Sequence, residues 1–301
     1  MPWRRGQKLK LVPERKATGK TLEIYRQIKR ALGVPHVSVI FQVYGAYPRF
    51  LELHWQAFQP AVETQEFFVL GERLRADGYT RMHNYFKVPD LRTRMAEAHL
   101  SPGAREELAD VVELFHYVNP LLLLLVAAQH QAFERRIGES QTVHAPEHPV
   151  FVGNPLLVEE EASPPEVKEI YDDIHRTLGL PVLSTTYLAL ARWPDFLETY
   201  WSVLKQVVES PVYNESTHGV RKTAWGLVQE LPYPVELTVS QLRDADIGDD
   251  DVAALVRITE TFLNILSGLV LNVALAKIGL EGGNLGRPQG PPIEAVPQQA
   301  A

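Results

Sequence analysis

The sequence contains no cysteine, which excludes disulfide staples, a thiolate nucleophile, a CxxC redox pair and a Cys-ligated zinc. It also lacks a strong excess of one charge. Thirty Lys and Arg against 37 Asp and Glu leave a formal net charge of −7, too mixed to attract a nucleic-acid backbone. The one basic crowd is Arg4, Arg5, Lys8, Lys10, Arg15 and Lys16, which an exposed chain start explains more simply than a docking arm. Residues 1–20 have no apolar h-region of the secretory type. The longest apolar run, 121–128, is far shorter than the roughly 20 residues of a membrane span. These absences predict a cytoplasmic protein with no membrane and no nucleic-acid partner. No alternating segment is bounded by turn signals, so no sheet is expected.

What the chain does have is an internal repeat. Residues 23–55 align without a gap on 169–201, with 14 identities over 33 positions, where composition alone gives roughly two. Glu23, Ile24 and Tyr25 meet Glu169, Ile170 and Tyr171; Pro48, Phe50, Leu51 and Trp55 meet Pro194, Phe196, Leu197 and Trp201. Two domain-sized copies predict a pseudo-twofold pair within one chain, with a ligand site in the seam.

Each copy is helical in pattern. Leu22, Ile24, Tyr25, Ile28 and Leu32 recur at three- and four-residue spacing behind Thr18 or Thr21, and Gly33 and Pro35 stop the helix. Val167, Ile170, Tyr171, Ile174 and Leu178 repeat the design before Gly179 and Pro181. Pro48, Pro194 and Pro102 suit first helical positions. The class is therefore all-α, divided into a flexible N-terminus (1–17), a first repeat (18–138), a proline-rich linker (139–164), a second repeat (165–280) and a disordered tail (281–301).

After duplication only one copy of each paired position must keep a functional side chain, so asymmetry marks candidates. Asn119 corresponds to about Leu266. Ser184, Thr185, Thr186 and Tyr187 correspond to Ser38, Val39, Ile40 and Phe41, and His36 corresponds to Val182. Helix capping accounts equally well for Asn119, and for one of the three hydroxyls. His116 reads as a hydrogen-bonded histidine in a helix seam. The letters His144-Ala-Pro-Glu147-His148 match a zinc motif that works only on a helix, and Pro146 and Pro149 deny it one. No metal site is expected.

Residues 189–194 (Ala-Leu-Ala-Arg-Trp-Pro) and Tyr117-Val-Asn119-Pro120 before the leucine run resemble the group I DL-2-haloacid dehalogenases, the halocarboxylic acid dehydrogenase DehI family, over about residues 18–280. The resemblance implies an all-helical pseudo-dimer with its site between the repeats. It also implies cofactor-free hydrolysis of small 2-halocarboxylic acids, an activated water displacing halide with inversion. Asn119 falls on the asparagine that holds this water, and Thr64 on a functional threonine. Two positions depart from the family: Thr186 stands where its general-base aspartate is expected, and Phe68 where its glutamate is expected. His36 falls on an aromatic pocket position, from which an imidazole can serve as a substitute base. Ser184, Thr185, Tyr187 and Thr64 are the candidate substrate-binding residues, and Asn119, Thr186 and His36 the catalytic ones. The partner implied is a small carboxylate, and a homodimer is left open. The alternative is a family homologue that binds a small carboxylate, or serves another chemistry, without dehalogenating.

Overall fold

The computed structural model describes residues 9–93, 100–151, 153 and 155–285. Arg4, Arg5 and Lys8 of the basic run, and the tail beyond 285, lie outside them. The described residues form helices and no strand; a single isolated bridge joins Ile137 to Val235.

The first half of the chain contains α1 (Gly19–Leu32), α2 (Val39–Tyr44), α3 (Pro48–Val62), α4 (Gln65–Tyr85) and α5 (Pro102–Ala132). The second contains α6 (Pro165–Leu178), α7 (Thr185–Leu190), α8 (Pro194–Val208), α9 (Pro211–Leu227), α10 (Val239–Asp244) and α11 (Asp249–Leu280). In length, α1, α2 and α3 match α6, α7 and α8 residue for residue: 14, 6 and 15.

Local chemistry sets these bounds. Gly33 and Gly179 end α1 and α6 in the left-handed conformation, at φ 66° and 64°, which a residue with a Cβ adopts only at a cost. Proline, whose missing N–H is not needed in a first turn, opens α3, α5, α6, α8 and α9. Ser101 caps α5 by accepting from Ala104 N, and Thr238 and Gln241 form a reciprocal capping box on α10.

The same braces recur in both halves. Trp55 Nε1 donates to Gln27 at 2.8 Å, and Trp201 Nε1 to Asp173 at 2.8 Å. Tyr25 donates to Val12 O, and Tyr171 to Val158 O. Glu14 pairs with Lys29, and Glu160 with His175. Residues 9–17, expected to be flexible, are therefore laid against α1 and α2, with Leu9 and Ala17 buried and Val12 N bonded to Gln42 O.

At the centre α5 packs along α11. Both are long and apolar enough to cross a membrane, but 89% and 72% of their most apolar windows are buried within the protein itself. Their most apolar stretches form the core that a face-by-face 3.6-residue pattern would underestimate, being apolar all round there. Beyond them the halves are clasped crosswise. Ile137 and Val235 exchange backbone hydrogen bonds at 3.0 and 2.8 Å, and Asn284 N donates to Val88 O at 2.9 Å. Asn284, placed by the sequence in the disordered tail, is buried. Its side chain accepts from Val88 N and donates to His83 O and Phe86 O.

Candidate functional site

The N-termini of α2 and α7 and the middles of α5 and α11 enclose a small cavity. Ser38, Val39 and Ile40 line it from α2; Phe115, Asn119 and Leu122 from α5. Ser184, Thr185 and Thr186 face them from α7, and Phe262, Ile265, Leu266 and Leu269 from α11. About 20 Å³ is open to the centres of water molecules, room for one or two, since roughly 10–15 Å³ on this measure holds one.

Four of the expected site residues meet here. Asn119 Nδ2 donates to Thr186 Oγ1 at 3.4 Å, a long and therefore weak contact between the two halves. Ser184 and Thr185 flank Thr186, and the Ser184 hydroxyl is buried without a hydrogen-bond partner. Such a donor disfavours the cavity unless a ligand or water meets it. Asn119 does not cap a helix start, the other reading of this residue: α5 begins at Pro102, and both Asn119 and Pro120 lie inside it. Pro120 leaves the carbonyl one turn back without its helical donor.

The other three lie elsewhere. His36 is buried but does not line the cavity; its ring rests on Phe115, 5.3 Å between centroids. Burial, and then the charge of Lys29, push its pKa from 6.5 down to about 4, and neither ring nitrogen has a partner. It is therefore not among the side chains that line the cavity with Asn119 and Thr186, and its burial disfavours the protonated imidazole that a base must become. Thr64 caps α4, accepting from Phe67 N and donating to Ala61 O, so its hydroxyl is already used in the backbone. Tyr187 faces a different, larger cleft, where its hydroxyl accepts from Asn272. Phe68 packs on Tyr117 and His148, while Glu66 turns away to His144 at 2.6 Å.

Sequence reasoning missed Ser38, Phe115 and Phe262. The signal was available: Ser38 and Ser184 are paired positions of the repeat, and Phe115 and Phe262 fall at corresponding places in α5 and α11. None of the lining side chains titrates near neutral pH. Amide and hydroxyl groups can orient a water molecule here, but no carboxylate or imidazole receives its proton.

An all-helical chain with a small, polar-edged cavity where its first and second halves meet defines the class. The family model for halocarboxylic acid dehydrogenase DehI matches residues 35–187, just over half of the sequence, and the chain belongs to this family. It is 29% identical over 270 residues to an (R)-2-haloacid dehalogenase of Pseudomonas putida, covering 87% of this chain and 89% of that one. A configuration-inverting 2-haloacid dehalogenase of Alcaligenes xylosoxydans xylosoxydans is 23% identical, over 85% of this chain and 88% of its own length. Among solved structures, a D-2-haloacid dehalogenase mutant in complex with D-2-CPA superposes with a TM-score of 0.87 at 29% identity, covering 90% of this chain and 96% of that one.

Proposed function

We propose that this protein hydrolyses small 2-halocarboxylic acids by direct attack of water, in a cavity shared by two pseudo-twofold-related units. The observation that carries the reading is the meeting of Asn119 from one half with Thr186 from the other, inside a chain of this family. The water oxygen bonds to the α-carbon, the carbon–halogen bond breaks with its electron pair leaving on halide, and the proton passes to solvent. Asn119 and Thr186 orient the water, and the hydroxyls of Ser184 and Thr185 receive the substrate carboxylate. Thr186 occupies the place of the family's general base, and a neutral hydroxyl does not accept a proton at pH 7.

The crosswise clasps, the matched helices and the matched braces support a duplicated unit. On this reading the units begin near Leu9 and Pro155, earlier than the repeat at 18 and 165 suggested, because the bonds of Val12 recur at Val158. Asn119 and Leu266 then face each other across the axis, as do Thr186 and Ile40.

Chloride and bromide release from a panel of 2-chloro and 2-bromo acids tests the reading. Wild-type turnover is expected to be slow, and Thr186→Asp to raise it roughly 10²- to 10⁴-fold, the usual worth of general-base assistance. His36→Asn is expected to leave it unchanged. Halide release absent from both wild type and Thr186→Asp overturns the proposal.

A further inference from the structure

The second half of the chain, joined by Leu9 and Leu11 of the N-terminal segment, lines a cleft of about 1360 Å³ that includes Val182, Ile265 and Leu269. The same three side chains line the small cavity on its other side. Among the described residues, one layer of apolar side chains therefore divides this cleft from a cavity with room for one or two waters, too little for a haloacid.

The corresponding approach through the first half is filled. The linker crosses it: Gln65 N donates to His144 O, and Phe151 N to Gly33 O. His148 lies on Phe68, 4.4 Å between ring centroids, and Phe151 on Tyr117 at 5.2 Å. The counterparts of Gly33, Phe68 and Tyr117 are Gly179, Asn214 and Asn264, and all three line the open cleft.

We infer that 2-haloacids reach the Asn119–Thr186 cavity through this cleft, past Val182, Ile265 and Leu269, and that the cleft admits unbranched 2-haloacids with substituents longer than methyl. This rests on the reaction proposed above. The carboxylate and α-carbon sit among Ser184, Thr185 and Thr186. The substituent extends back past the three gate residues along the apolar wall of Leu180 and Pro181. Val182 and Ile265 are only half-buried, so their rotamers can yield without opening the core. Gate residues of this kind set chain-length preference, since a methylene in an apolar pocket changes rates severalfold or more.

The test uses the full chain, with 2-bromopropionate and 2-bromohexanoate as substrates and 2-hydroxyhexanoate as a non-reacting probe. Ile265→Ala is expected to raise the ratio of kcat/KM for the six-carbon over the three-carbon acid about tenfold. Val182→Phe, which thickens the partition, is expected to lower kcat/KM for both acids about tenfold. Turnover of 2-bromopropionate with 2-bromohexanoate inert in wild type and Ile265→Ala alike overturns the inference, as does a Val182→Phe variant that keeps both rates. If no variant releases halide from either acid, the reaction itself fails and the route is judged on binding. Association of 2-hydroxyhexanoate, followed by tryptophan fluorescence in stopped flow, slowed about tenfold by Val182→Phe upholds the route; no binding, or an unchanged rate, overturns it.

Discussion

The grooves of the first and second halves have met different fates in this molecule. In the first half, Gly33, Phe68 and Tyr117 lie beneath the linker segment that carries His148 and Phe151. In the second half, Gly179, Asn214 and Asn264 stand at an open cleft. Side-chain chemistry follows the cover. Phe41, Phe67 and Leu125 of the sealed half correspond to Tyr187, Tyr213 and Asn272 of the open half, where Asn272 donates to the Tyr187 hydroxyl and accepts from that of Tyr213. The linker covers the first groove with His148 and Phe151, whereas Glu160 and Glu161, with Leu9 and Leu11, line the second without filling it. One groove is thus packed and the other lined by polar groups, which persist where hydrogen-bond partners or solvent can meet them.

Exchanging the buried residues between the halves should give the largest effect. Leu125→Asn places an amide where no partner waits and is expected to cost roughly 3–5 kcal/mol in urea unfolding. Asn272→Leu strands two phenolic hydroxyls and should cost roughly 1–3 kcal/mol. Equal losses would mean that the polarity difference is incidental to the two grooves.

The linker itself is read by a pair of identical substitutions. A Cβ at Gly33 would stand 2.5 Å from Pro149 O and 2.6 Å from His148 Nδ1, whereas one at Gly179 meets nothing within 4 Å. Both positions carry the left-handed penalty. Gly179→Ala is thus expected to cost about 1–2 kcal/mol, and Gly33→Ala about 1–3 kcal/mol beyond that. Matching unfolding midpoints for the two variants would show that the linker yields freely.

Acid should separate the halves by a smaller step. His36, His54 and His116 all lie in the first half, and burial holds each at a pKa of about 4, against an ordinary 6.5. Their counterparts Val182, Tyr200 and Leu263 do not ionise in that range. Because the unfolded chain takes up these protons first, stability is whole above pH 6.5 and falls as the pH drops toward 4. Each histidine removes about 2 kcal/mol by pH 5. His175, in the second half, is shifted upward by its bond to Glu160 and acts in the opposite sense. His36→Val, which installs the second half's residue, should recover about 2 kcal/mol at pH 5 relative to pH 7 in paired urea titrations. An unchanged pH dependence would remove His36 from this account.

The helical class and most helix limits were legible, because Gly33, Gly179 and the first-turn prolines act locally. Asn119 was legible as an oddity in the repeat but not as a mid-helix residue, since a proline after it reads as a boundary until tertiary burial overrides that preference. The cleft was not legible at all. It depends on which half the linker lies against, and residues 139–151 have no periodicity to say so. His36 shows a related ambiguity: asymmetry across the repeat marks a changed environment, and the contact it marks here is packing against Phe115.

The bond from Val88 N to Asn284 Oδ1 joins residues 196 positions apart. Helical proteins ordinarily fold fast because their contacts are near in sequence. Here the stitch closes a loop of about two-thirds of the chain, and α11 must emerge and form before Asn284 can reach it. Loop-closure entropy rises only slowly with length, so the delay falls on the rate far more than on the final stability. During synthesis the first half therefore waits, its Val88 edge unstitched, until the ribosome has delivered nearly the whole second half.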